Sequence, residues 1–186
     1  NLLHPLTSLQ ILDLSYNQIS QVEPDAFKYL TELRVLRLEE NNLSEIPSGL
    51  EYLPNLVELH LQRNRIQIIP DDSLPLPSLS SLDIRNNKIE EIQQHSFTQL
   101  TNLRTLRISG NRLNRVPTSA LAKLSNLEIL YLGHNNYFQI RSNSLSGLYN
   151  LRNWIYLVVL LWFLLRIQPS VRTPTLWMCP SLEIRC

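Results

Sequence analysis

The stretch Leu33-Arg34-Val35-Leu36-Arg37-Leu38-Glu39-Glu40-Asn41-Asn42-Leu43 decides how this chain folds. Leu36 and Leu38 alternate with Val35, Arg37 and Glu39, the period of a short strand with one apolar face. Asn41 comes where the chain must leave that strand and turn. The same spacing stands upstream as Leu9, Leu12, Leu14, Asn17 and Ile19. Downstream it returns as Leu56, Leu59, Leu61, Asn64, Ile66, then as Leu79, Leu82, Ile84, Asn87, Ile89. Two more copies complete the series: Leu103, Leu106, Ile108, Asn111, Leu113, and Leu127, Leu130, Leu132, Asn135, Tyr137. Successive asparagines are 24, 23, 23, 24 and 24 residues apart. A repeat this regular is a structural unit.

One such strand cannot bury its apolar side alone. Stacked at about 4.8 Å, neighbouring strands pair in parallel and share a core. The amides of Asn17, Asn41, Asn64, Asn87, Asn111 and Asn135 form a structural ladder, each able to satisfy backbone groups at the turns. A second apolar ladder, Val22, Ile46, Ile69, Ile92, Val116 and Ile140, lies five residues after each asparagine and lines the opposite wall. Pro47, Pro70 and Pro117 come directly after three of these, so that wall is expected not to form a continuous sheet. Phe27 and Phe97 are expected to fill the space beneath it. The expected fold is an α/β repeat solenoid: a parallel sheet on the concave face and an irregular or short-helical convex side.

This pattern resembles the leucine-rich repeat superfamily, in the 23–24-residue form of animal extracellular proteins. Toll-like receptors, chaoptin-like adhesion proteins and small leucine-rich proteoglycans carry it. Phe27-x-x-Leu30-x-x-Leu33 and Phe97-x-x-Leu100-x-x-Leu103 match that form. Ile46-Pro47-Ser48-Gly49-Leu50 and Leu53-Pro54-Asn55-Leu56 are also similar to repeats of intracellular scaffolds. The plant signature L-x-G-x-I-P and the cysteine-bearing ribonuclease-inhibitor repeat are missing. The resemblance implies a protein-binding role on an extracellular or cell-surface protein, a receptor or an adhesion molecule. A cytoplasmic location is the alternative, for a matrix or scaffold protein that self-associates.

Three segments are expected: a solenoid over 1–151, a departing apolar segment over 152–167, and a poorly ordered tail over 168–186. Leu148 and Leu151 begin a seventh repeat, but Val159 stands where its asparagine belongs. The twelve apolar residues Trp154 to Leu165 would make a helix of about 18 Å, short of the roughly 30 Å hydrocarbon core. The segment is expected to bury itself against the open end of the solenoid, or to be foreign to the repeat. Membrane association is expected only through it or through a longer parent chain. Cys179 and Cys186 are expected to stay unpaired, and no cysteine-rich cap is visible at either end. The repeat is already running at Leu6, so the chain is expected to begin inside a longer protein.

Seventeen Lys and Arg against sixteen Asp and Glu leave a net charge of +1, which argues against a nucleic-acid partner. No catalytic or phosphate-binding motif occurs, so no enzyme activity and no cofactor are expected. No metal is expected either: His60 and His134 belong to repeats three apart, about 14 Å by strand spacing. Glu39, Glu40 and Asp13 read as a solvated charged surface rather than a calcium site, since Arg37 and Arg63 lie in adjacent repeats. Asn42-Leu43-Ser44 is a glycosylation sequon.

The outward side of the strands is the candidate site. Its central row runs Asp13, Arg37, His60, Asp83, Arg107, Tyr131, and the positions after it carry Glu39, Arg63, Arg85 and His134. Held at fixed spacing on a rigid sheet, such groups recognise a partner at low entropic cost. Arg and Tyr are the commonest interface anchors. The expected partner is therefore a protein, bound through Arg37, Glu39, His60, Arg63, Asp83, Arg85, Arg107, Tyr131 and His134.

Overall fold

A computed structural model describes residues 6–141 and 143–152. The chain divides into two units, Asn1–Tyr156 and Leu157–Cys186. The second lies outside the described residues, as do the apolar run from Trp154, the two cysteines and Val159. The first unit is a solenoid of stacked coils.

Six strands form its main sheet: β1 (Ile11–Asp13), β2 (Val35–Arg37), β3 (Glu58–His60), β5 (Ser81–Asp83), β7 (Thr105–Arg107) and β8 (Ile129–Tyr131). They pair in parallel, each with the strand of the next repeat, and the register joins like to like: Asp13 to Arg37, Arg37 to His60, His60 to Asp83. Asp83 pairs with Arg107, and Arg107 with Tyr131. The ladder runs past the strands, because Leu38 N–H donates to His60 O and Glu40 N–H to Gln62 O, at 2.9 and 3.1 Å.

The inward leucines make one core. Leu36, Leu38, Leu59, Leu61, Leu82, Ile84, Leu106 and Ile108 are all 0% exposed. Phe27 and Phe97 are buried with them. Leu9, Leu12 and Leu14 of the first repeat are only partly buried, since among the described residues no coil stacks on their far side.

Each asparagine turn is a small hydrogen-bonded knot. Asn87 accepts from Ile66 N–H at 3.1 Å and donates to Leu61 O at 3.0 Å and Ile84 O at 3.1 Å. Asn41, Asn64, Asn111 and Asn135 repeat that arrangement, tying each coil to the one before. Asn17 donates only to Leu14 O and Ser15 O of its own coil. The residue before every asparagine has positive φ: Tyr16, Glu40, Arg63, Asn86, Gly110 and His134. Only Asn86 and Gly110 are types that favour this backbone. At Gly110 a Cβ would lie 2.1 Å from Asn86 Oδ1, so the missing side chain makes room for its neighbour.

The convex wall is broken. Among the described residues its one strand pair is β4 (Ile68–Ile69) with β6 (Glu91–Ile92), and a single bridge joins Arg115 to Gln139. A 3-10 turn (Leu50–Tyr52) and the helix α1 (Thr118–Leu121) complete the regular structure. β4 and β6 are held by Gln93 N–H, which donates to Ile69 O at 3.0 Å. The equivalent residues in other repeats include Pro47, Pro70 and Pro117, which have no N–H to give. Arg141, the last equivalent, turns its N–H to Ser144 Oγ instead, at 3.0 Å. Beside the missing Pro117 donor opens a cavity of about 560 Å³, lined by Gln93, Arg115, Pro117, Phe138 and Ser144.

Candidate functional site

The main sheet presents its outward rows to solvent, and the parallel register fixes their spacing. Asp13, Arg37, His60, Asp83, Arg107 and Tyr131 stand side by side across six strands. Glu39, Gln62, Arg85 and Ser109 lie in the next row, two residues further along each chain. Glu40, Arg63 and His134 occupy the positive-φ row.

Most of the charges on this face neutralise one another within it. Asp13 Oδ2 lies 3.6 Å from Arg37 Nη1. Glu58 is 3.3 Å from His60 Nε2, and Glu40 accepts from Arg63 Nη1. Asp83 accepts from the Arg85 guanidinium through both carboxylate oxygens, at 3.0 Å from Nε to Oδ1, 3.1 Å from Nε to Oδ2 and 2.7 Å from Nη2 to Oδ2. Hydrogen bonds from the Ser15 hydroxyl and N–H hold the Asp13 carboxyl below the usual carboxylate range, and Arg37 adds to them. The Asp83 and Glu40 carboxylates raise Arg85 and Arg63 in the same way.

Two placements differ from a simple outward row. Asp83 is only 3% exposed, because Arg85 folds back over it. A partner meets the Arg85 guanidinium there rather than the carboxylate. Arg107 is the other: its Nη1 donates weakly to Ser81 Oγ at 3.4 Å, and its guanidinium carbon lies 5.5 Å from the Tyr131 ring centre. Among the described residues no carboxylate pairs with it. A cation stacked this way is held in place without being neutralised.

His60 and His134 keep their three-repeat separation, and among the described residues no group of His, Cys, Asp and Glu could hold a metal ion. No helix among those residues is long and apolar enough to cross a membrane. Asn42 sits on the flank of the second coil, half-buried, with its backbone N–H on Ile19 O at 2.9 Å.

A second asparagine ladder lies outside the repeat pattern that the leucines define. Asn55, Asn102, Asn126 and Asn150 each donate Nδ2 to a carbonyl of the preceding coil: Thr31, Pro77, Thr101 and Ser125. Its signal is present in the sequence, since all four directly precede the first leucine of a repeat. Phe138 and Tyr149 are 79% and 91% exposed, and no periodicity marks them.

The sequence matches the leucine rich repeat family over residues 7–66, 54–113 and 101–157. The chain belongs to the leucine-rich repeat family. Among solved structures it is similar to the crystal structure of a TLR13–ssRNA13 complex, at 30% identity and a TM-score of 0.76. That likeness covers 80% of this chain and 21% of the other, so the chain spans about a fifth of that receptor's length. Leucine-rich repeats of this kind imply a protein–protein interaction module, in a family that is typically non-enzymatic. They occur both outside and inside cells. Matches extend to 386 chains of solved structures, so the architecture by itself names no ligand.

Proposed function

We propose that this leucine-rich repeat chain is the ligand-binding part of an extracellular or cell-surface receptor or adhesion protein, and that its concave sheet docks a protein partner. The observation that carries this reading is the six-strand register, which holds Arg37, His60, Arg107 and Tyr131 at fixed spacing on one face. Arg85 and His134 stand beside them, with Asp83 acting from beneath Arg85. The site is preorganised, so little entropy is lost on binding.

A protein fits this face better than a nucleic acid. A surface that tracks phosphates needs clustered, unneutralised cations, whereas here Arg37, Arg63 and Arg85 each face a carboxylate. The ssRNA in the similar structure belongs to that receptor. The extracellular reading draws support from Asn42, which we take as a glycan acceptor. Asn41 is spent on the turn, while Asn42 sits on the flank and Ser44 is exposed. Secreted from animal cells, the chain should lose mass on glycosidase treatment, and Asn42→Gln should not.

Screening against an array of secreted and cell-surface ectodomains tests the docking face. His60→Trp with Ser109→Trp obstructs the concave side, and Lys123→Trp places a tryptophan on the convex side. Binding lost in the first variant and kept in the second is the expected result. The opposite pattern refutes the reading.

The exposed Phe138 and Tyr149 favour a second reading, a scaffold that self-associates. Light scattering decides it: a monomer at high concentration removes that alternative.

A further inference from the structure

Once each charged group of the concave face is set against its polar partner, Glu58 against the His60 ring among them, two groups of opposite sign are left over. Arg107 is one. Glu39 is the other: among the described residues it forms no ion pair, and its Oε2 is buried without a hydrogen-bond partner. Gln62, at the same position in the next coil, also has a buried Oε1 that no donor reaches. Gln62 can turn its own amide N–H toward Glu39, but the Glu39 carboxylate still has no cation beside it, since among the described residues no Lys, Arg or His pairs with it. The terminal torsions of Glu and Gln are soft, so a small rotation turns both oxygens toward an incoming donor.

The register sets the separation of the two groups. Glu39 lies in the second coil and Arg107 in the fifth, three strand steps apart, or about 14 Å. Arg107 stands two residues earlier in its repeat, which adds about 6.6 Å along the strand direction. The direct distance is roughly 16 Å, which an extended chain at about 3.3 Å per residue spans in four to six residues, and side chains on one face of such a chain recur at even spacings.

We infer that the concave face selects an extended protein segment that carries a basic side chain over Glu39 and Gln62 and an acidic side chain against Arg107, four or six residues apart. This deepens the protein-docking reading and rests on it. A polyanion meets Glu39 unfavourably.

The test uses the full 186-residue chain, a phage-displayed library of random dodecapeptides, and a single-stranded uridine oligonucleotide as the polyanion. Enriched peptides should carry Lys or Arg and Asp or Glu four or six positions apart. Glu39→Lys and Arg107→Glu should each weaken them at least tenfold, and the double swap should enrich peptides of reversed polarity. Neither side chain supports the main chain, and unchanged thermal unfolding of the variants checks that. No enrichment, peptides lacking the spacing, affinities unchanged in both variants, or tighter binding of the oligonucleotide than of any peptide each overturns the inference. Peptides blocked by His60→Trp with Ser109→Trp, yet indifferent to both charge changes, overturn it while leaving the concave docking reading intact. Peptides that ignore the concave block count against that reading itself.

Discussion

Along the concave wall β1, β2, β3, β5, β7 and β8 each find a neighbour, whereas on the convex wall, among the described residues, only β4 and β6 pair as strands. Both walls are built from the same repeat and carry an inward aliphatic ladder of similar quality. They differ in main-chain donors. On the concave side every residue that must donate has an N–H, and the asparagine at the strand exit satisfies the groups left over. On the convex side three of the residues equivalent to Gln93 are prolines, and the sheet exists where that residue is Gln93 itself. Apolar patterning thus decides which way residues face, while the donor inventory decides which face becomes a rigid platform.

The largest effect should come from breaking the concave turn. Asn87→Leu keeps the branching but is bulkier, and it leaves Ile66 N–H without an acceptor, while Leu61 O and Ile84 O still accept from Asn64 and Asn111 at 3.1 and 3.0 Å. An orphaned buried donor costs about 1–3 kcal/mol and overpacking by the larger side chain about as much again, so a loss of about 3 kcal/mol is expected in urea unfolding. Gly110→Ala comes next, at about 1–2 kcal/mol for an alanine held at positive φ. Its Cβ also displaces Asn86 Oδ1, so part of that loss should disappear in an Asn86→Ala background.

Pro117→Ala sharpens the comparison from the other side. It restores the missing donor opposite Ile92 O, at the cost of a freer unfolded chain, so stability should change by less than about 1 kcal/mol. Hydrogen exchange should nonetheless show a newly protected amide at position 117. An amide that exchanges freely there removes proline as the cause of the broken wall.

The smallest effect concerns pH. The Asp13 carboxyl titrates below its ordinary value of about 3.9. Its contribution is therefore complete above about pH 4 and lost as the pH falls through the lowered value. Asp13→Asn should flatten the acid limb of the stability curve slightly, with no change near pH 7.

Much of this was legible in the residues. Leu36, Leu38 and Asn41, with their counterparts, state the strand, its inward face and its turn, and Pro70 and Pro117 state where the second wall fails. The positive-φ row was not legible, because Tyr16, Glu40, Arg63 and His134 are not residues that announce such a backbone. Burial of Asp83 escaped for a different reason. Period two places it outward correctly, but Arg85, two residues on along the same face, lies over it, and side-chain conformation leaves no trace in spacing. The leftover charges at Glu39 and Arg107 emerge only when every other pair is matched in space.

Hydroxyl-radical footprinting of the chain bound to a partner found in the ectodomain screen tests the central claim most directly. Protection should fall on His60, Tyr131 and His134 of the concave face, with Phe138 and Tyr149 as reactive as in the free chain. Protection confined to Phe138 and Tyr149, with the concave side chains unchanged, contradicts the account.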